Sequence, residues 1–285
     1  MAKKKINDFD MDNWKDYDDI ITDSLWIINK RDNSGTHKGD YHGNFIPQIP
    51  YQLINRYTKK GEWVLDAFLG SGTTLIECQK LGRNGIGIDI DNNILEVAKE
   101  RATSEKGNSK LEFINGDSSK IKLEKYLNKY NIDKVNMILY HPPYWDIIKF
   151  NNCEGNLANT HTLEEFLKSF EKVINNTTKY LEDERYLGIV IGDIYKDSEW
   201  IPLSSHIIQL MLRKNFILKS VIVKNISETK GKQNQKAIWR YRALLGGFYV
   251  FNHEYILIFK KPKERKKKNA KRTNWNKWNK KNICK

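Results

Sequence analysis

Residues 63–90, WVLDAFLGSGTTLIECQKLGRNGIGIDI, decide the fold. An apolar strand is expected over 63–65, ending at Asp66, then a glycine-rich turn over 69–74 and an amphipathic helix over 75–81. A second apolar strand over 85–88 ends at Asp89. A strand, a tight glycine turn, a helix and a strand with an acidic end form the mononucleotide-binding half of a doubly wound α/β fold. Gly70 and Gly72 are expected to let the backbone approach a ligand where a Cβ would clash. Asp89 follows Asp66 at about the twenty-residue spacing at which such folds place a carboxylate for ribose hydroxyls.

Downstream, strands and helices alternate. A helix is expected over 92–105, then a strand over 111–114 that ends in Asn115-Gly116-Asp117-Ser118. A lysine-rich helix over 120–130 precedes a strand over 135–140, and His141-Pro142-Pro143-Tyr144-Trp145 follows. The remainder predicts helices over 163–181 and 201–214, strands over 186–191, 217–224 and 255–260, and a polar segment over 225–247. The alternation predicts a Rossmann-like, mostly parallel sheet with a terminal antiparallel hairpin. Upstream, 1–40 reads as a loosely structured segment packed on the core, with Trp14, Tyr17, Leu25 and Trp26 as anchors. Pro47 and Pro50 are expected to hold an extended path into a helix over 51–57.

Composition narrows the function classes. No apolar run approaches the ~18 residues of a membrane span, and no signal-peptide pattern opens the sequence, so a cytoplasmic home is expected. Three widely spaced cysteines indicate neither a disulfide framework nor a zinc cluster, and no metal site is expected. The net charge is +14, and residues 260–285 hold 13 Lys/Arg against the single Glu264. The 261–285 tail is therefore expected to be a disordered basic arm that attracts polyanions, with Trp275 and Trp278 available for stacking, or else a merely solubilising end.

Asp66, Asp89 and Asp117 each follow an apolar strand in successive units, so they line up along one sheet edge. The glycine turn lacks the Lys of a phosphate-gripping loop and the full dinucleotide spacing. An acidic edge beside such a turn suits a positively charged nucleoside better than a pyrophosphate, and S-adenosylmethionine fits. Two consecutive prolines after a strand leave carbonyls and the His141 side chain as outward acceptors. Acceptors gripping the two hydrogens of an exocyclic amino group free its delocalised lone pair to attack a sulfonium methyl. Tyr144 and Trp145 are expected to stack on the extruded base.

With these motifs, residues 41–260 resemble the amino-group DNA methyltransferases, which form N4-methylcytosine or N6-methyladenine. The resemblance implies Phe45 and Pro47 beside the methionine part of the cofactor, and Asp66, Phe68, Gly70, Ser71, Gly72 and Thr73 in the cofactor loop. It places Asp89 on the ribose and Asp117 near adenine, with His141, Pro142, Pro143 and Tyr144 catalytic. Family members carry Asp, Asn or Ser where His141 stands. Asp or Asn there goes with adenine and Ser more often with cytosine, so the absent acid or amide points to N4-cytosine. N6-adenine is the alternative, followed by an RNA or protein amide acceptor, and then by a non-catalytic DNA-binding protein.

A small recognition insertion is expected near 224–251, where Lys224, Lys230, Lys232, Lys236, Arg240 and Arg242 alternate with Trp239 and Tyr241. There Lys grips phosphate and Arg reads base edges, and the loop over 149–161 is a second route to DNA. The implied partners are double-stranded DNA and, in a restriction-modification pair, a cognate restriction endonuclease. Cys153 lies in no Pro-Cys context, so a covalent C5-cytosine route is not expected.

Overall fold

The computed structural model describes residues 5–41, 43–145, 153–226 and 236–263. Chain order is β1 (Leu25–Trp26), α1 (Gln48–Tyr57), β2 (Trp63–Asp66), α2 (Thr73–Leu81), β3 (Asn84–Asp89), α3 (Asn92–Ser104), β4 (Leu111–Asn115), α4 (Glu124–Lys129) and β5 (Val135–Tyr140). There follow α5 (Leu163–Thr178), β6 (Leu181–Ile191), β7 (Ile194–Lys196), β8 (Glu199–Ile201), α6 (Leu203–Arg213), β9 (Ile217–Asn225), α7 (Lys236–Gly246) and β10 (His253–Lys260).

Eight strands form one sheet in the order β1-β9-β10-β6-β5-β2-β3-β4. Strands β6, β5, β2, β3 and β4 run parallel, whereas β10 is antiparallel to both β6 and β9. The doubly wound sheet and the closing hairpin are therefore as the alternation predicts. Short apolar runs suit the central strands because both of their faces are covered, and all four residues of β2 are buried. One core cluster joins the sheet to Leu127 of α4, Phe166 and Phe170 of α5, and Ile207 of α6. Another joins it to Ile49, Leu53 and Ile54 of α1 and to Trp26. Helix α5 starts on a capping box in which the Thr162 hydroxyl accepts from the Glu165 amide and the Glu165 carboxylate takes the Thr162 amide.

The chain winds outward through β2, β3 and β4, then returns to place β5 on the other side of β2. Ligands bind open α/β sheets at such a reversal, outside the carboxyl ends of the strands.

Several sequence expectations change. Pro47 caps α1 in helical geometry and Pro50 sits in its first turn, where amides lack partners and proline costs no hydrogen bond. The 120–130 helix is only Glu124–Lys129, because the Lys120 and Ile121 amides bond back to the Asp117 carbonyl as a turn. Helix α5 stops at Thr178, and Leu181 already pairs with Val135 as the start of β6, which the charged run 182–185 conceals in the sequence. Helix α7 lies within the stretch read as a polar segment. Trp26 is an anchor at 3% exposure, whereas Trp14 and Leu25, at 60% and 58%, are not. Among the described residues no helix is long and apolar enough to cross a membrane.

Candidate active site

Strands β2 and β5 are direct neighbours, with Asp66 paired to Leu139. The glycine turn and the His141 motif therefore leave adjacent strand ends at the sheet's reversal point. The turn is built by its own acid: Asp66 Oδ1 accepts from the Phe68 amide at 2.9 Å, and Oδ2 accepts from the Thr74 hydroxyl at 2.5 Å. Burial pushes the Asp66 carboxyl up to about 7. Asp89 ties the next strand end to the same turn, with Oδ2 accepting from the Gly70 amide at 2.7 Å and Oδ1 from the Asp91 amide at 2.9 Å. Burial raises its pKa also. Asp117 stands after β4, with Oδ1 accepting from the Ser119 amide and Oδ2 3.3 Å from Lys120 Nζ. Gly155 lies against Asp117, since a Cβ there would come within 2.8 Å of Oδ2.

The two turn glycines differ. Gly72 has φ +93°, and a Cβ on it would lie 3.0 Å from the Ala98 backbone in α3, so helix packing rather than a ligand demands glycine there. At Gly70, φ +53°, a Cβ would meet the Tyr41 ring at 3.2 Å. The N-cap of α2 is Gly72, so the cap residue supplies no side-chain bond to the first amides. The Ser71 hydroxyl is buried, with no hydrogen-bond partner among the described residues.

Tyr41 and residues 43–47 roof this turn. The Thr73 hydroxyl donates to Asn44 Oδ1 at 2.5 Å, and Arg31 donates to the Phe45 carbonyl at 3.0 Å. Phe45 and Pro47 are buried, and the Phe45 ring meets His141 edge-on with centroids 4.8 Å apart. Phe68 turns instead toward the core, edge-on to Tyr140 at 5.9 Å. Tyr41, Asn44 and Arg31 are further site neighbours to which the motifs assign no role.

In the His141 motif, His141 Nε2 lies 3.2 Å from the Tyr144 hydroxyl, which donates to Glu254 Oε2 at 2.8 Å. Lys224 Nζ donates to Glu254 Oε1 at 3.0 Å, and the two residues are register partners across β9 and β10. Burial pushes the His141 imidazole down to about 4, opposed by the Glu254 charge, so the ring is neutral through the physiological range. Tyr144 packs over Gly192, where a Cβ would come 2.7 Å from its Cε2. Glu254 carries no motif, and its one sequence signal is a lone charge inside an apolar strand; Lys224 reads in the sequence as a DNA contact, not as the partner of Glu254.

Two DNA-contact expectations are corrected. Trp145 is a core residue at 6% exposure: its Nε1 donates to the Thr160 carbonyl at 3.1 Å, and Lys196 Nζ covers its ring at 4.4 Å. Lys224 is buried in its pair with Glu254. Arg240 and Arg242 are exposed on α7, with the Arg242 guanidinium over the Trp239 ring at 5.4 Å. Lys230 and Lys232 lie outside the described residues, as do His42, residues 149–152 and residues 264–285. The α7 excursion leaves β9 and re-enters β10 beside the Lys224–Glu254 pair, and Phe248 stacks on Tyr195 at 4.4 Å. Among the described residues, no group of three or more His, Cys, Asp or Glu is placed to hold a metal.

A family model described as DNA methylase matches residues 2–100 and 135–284 of this chain. A model described as RNA cap guanine-N2 methyltransferase matches residues 61–187. The Type II methyltransferase M.MthZI of Methanothermobacter thermautotrophicus is 31% identical over 149 residues, covering 48% of this chain and 41% of that protein. M.MjaII of Methanocaldococcus jannaschii, also a Type II methyltransferase, is 36% identical over 140 residues, covering 49% of this chain and 20% of its own length. The chain thus spans less than half the length of either relative. A SAM-dependent methyltransferase from Methanosarcina mazei superposes with a TM-score of 0.50 at 16% identity, covering 74% of this chain and 98% of that one, a likeness of fold.

Proposed function

Since the chain belongs to the DNA methylase family, we propose that it methylates the exocyclic amino group of a flipped base in double-stranded DNA, N4 of cytosine, with S-adenosylmethionine as donor. The observation that carries this is the adjacency of the Asp66 turn and the His141 motif at the β2 and β5 ends, roofed by Phe45. N4 rather than N6 follows from histidine at 141, where the resemblance gives Asp or Asn for adenine.

The residues present fit the donor. The uncapped start of α2 and the orphaned Ser71 hydroxyl suit a carboxylate, Asp89 keeps further lone pairs for ribose hydroxyls, and Asp117 stands one strand along for the adenine. S-adenosylmethionine supplies a methyl group activated by its sulfonium, so neither a metal nor a covalent enzyme intermediate is needed. His141 and the carbonyl oxygens of the Pro142-Pro143 turn accept the two amino hydrogens, which frees the nitrogen lone pair to act as the nucleophile. Bound there, the donor would give its methyl to that nitrogen and leave as the neutral thioether, while the acceptors pass the surplus amino proton to water. Neutral His141 is the competent form, because a protonated ring accepts nothing.

Arg240 and Arg242 on α7 are proposed to meet DNA, as are Lys230, Lys232 and the basic 261–285 tail. A cognate restriction endonuclease is the partner proposed from the Type II names of the relatives. A second substrate reading is an amino group in RNA, favoured by the guanine-N2 match over 61–187 and by a tRNA (guanine(10)-N2)-dimethyltransferase of M. thermautotrophicus, 30% identical over 130 residues. The test is transfer of labelled methyl from S-adenosylmethionine to duplex DNA of varied sequence and to RNA, with the modified base identified after digestion. N4-methylcytosine in DNA is expected. N6-methyladenine would reassign the base, label in RNA alone would favour the second reading, and no label in either would end the enzyme assignment.

A further inference from the structure

An imidazole can accept an amino hydrogen only through the nitrogen that carries none, so which nitrogen of His141 is protonated decides whether it can serve as proposed above. The chain of bonds behind His141 fixes that choice. Lys224 Nζ donates to Glu254 Oε1 at 3.0 Å, and both residues are buried, at 5% and 8% exposure. A carboxylate held by a buried ammonium only accepts. The Tyr144 hydroxyl has one hydrogen, and 2.8 Å from Glu254 Oε2 that hydrogen goes to the carboxylate. Toward His141 Nε2, 3.2 Å away, the phenol oxygen is left as acceptor, so Nε2 must carry the ring hydrogen. Among the described residues nothing donates to Nδ1.

We infer that Glu254, oriented by Lys224 and acting through Tyr144, is a positioning residue that holds His141 as its Nε2–H tautomer and leaves Nδ1 as the acceptor for the amino hydrogen. The inference rests on the proposed role of His141, and it explains how a histidine can replace the acid, amide or hydroxyl of related motifs. Those side chains offer an acceptor oxygen in any state, whereas an imidazole offers its lone pair only when the proton sits on the far nitrogen. Tyr144 gains a second role as well. Its hydroxyl is anchored backward to β10, so its ring orientation is fixed before any base arrives.

The substitution Glu254→Gln reverses the polarity. Lys224 keeps the amide oxygen on its own side, the amide NH2 faces Tyr144 and donates to it, and the phenol hydrogen turns to His141 Nε2. That nitrogen must then be the lone pair, and Nδ1 becomes a donor. Nitrogen-15 spectra of histidine-labelled full-length protein report the tautomer directly, and of the six histidines the His141 signals are those lost in His141→Asn. The wild type is expected to show a pyrrole-like Nε2 and a pyridine-like Nδ1, with the two exchanged in Glu254→Gln.

Methyl transfer by Glu254→Gln is expected to lose at least about tenfold in kcat, the kinetic size of one misdirected hydrogen bond, with KM for S-adenosylmethionine unchanged. On a Tyr144→Phe background, where the link is cut, the same substitution is expected to change kcat little. A wild-type spectrum with Nδ1–H overturns the tautomer and needs no variant to fold. The expected spectra without a fall in kcat overturn the positioning role. If the wild type transfers methyl to neither DNA nor RNA, the proposed function fails while the spectrum still decides the tautomer.

Discussion

The Phe45 ring meets the His141 imidazole edge-on, at 4.8 Å between centroids and 67° between planes. One residue belongs to the roof over the glycine turn and the other to the motif after β5, so this contact joins the two halves of the site. Phe45→Ala is expected to cost about 3 kcal/mol in urea unfolding, as for a buried aromatic truncated to a cavity. Phe45→Leu retains the burial and loses the ring edge, so it should fold with near-native stability while kcat for methyl transfer falls. Unchanged kcat in a folded Phe45→Leu would remove Phe45 from the site.

Asp66 gives stability a pH signature. Its carboxyl is pushed up to about 7 by burial, from an ordinary value of 3.8. Between these values the folded protein holds a proton that the unfolded chain has released, so this group's contribution is full below 3.8 and is lost as pH rises through 7. Asp66→Asn should lack that decline. Denaturant midpoints of the two proteins compared across the window check it, and parallel curves would contradict the buried-acid assignment.

His141 works in the opposite sense. Its pKa is pushed down to about 4 from 6.5, first by burial, with Lys224 adding to the effect and Glu254 opposing it. The unfolded chain gains a proton before the folded one does, so this contribution is present above 6.5 and lost as pH falls toward 4. Activity should share the displacement: kcat holds through the ordinary histidine range and its acid limb falls near 4. A limb near 6.5 that disappears in His141→Asn would show that the imidazole is solvated rather than buried.

Gly72 and Gly61 both have positive φ, +93° and +78°, but only Gly72 has a neighbour in the way. Gly61→Ala is expected to cost about 1 kcal/mol of backbone strain. Gly72→Ala adds a Cβ 3.0 Å from the Ala98 backbone and should cost at least about twice as much, with loss of donor binding as α3 is displaced. Equal costs in urea unfolding would mean that α3 yields freely.

Arg240→Ala and Arg242→Ala should weaken DNA binding without regard to sequence, each lowering the slope of log K against log salt by about 0.9 if it neutralises one phosphate. Affinity for S-adenosylmethionine should not move. Unchanged slopes would take α7 off the DNA.

The sequence by itself determined the parallel units, the acidic strand ends, the glycine turn and the family. Each of these is written in local spacing: short apolar runs buried on both faces, a turn that only glycine permits, a carboxylate at each strand's end. It also set the two proposed halves of the site, because Asp66 and His141 each follow directly on their own strand. Tertiary structure decided what stands behind them. Lys224 and Glu254 face each other only because β9 and β10 pair in antiparallel register, and they reach Tyr144 only because β10 inserts beside β6. Trp145 reads as an exposed stacking ring until the carbonyl of Thr160 and the ammonium of Lys196 enclose it. Partners supplied by distant strands leave no periodicity at the residue they serve, which is why a lone Glu in β10 was the one trace of the network in the sequence.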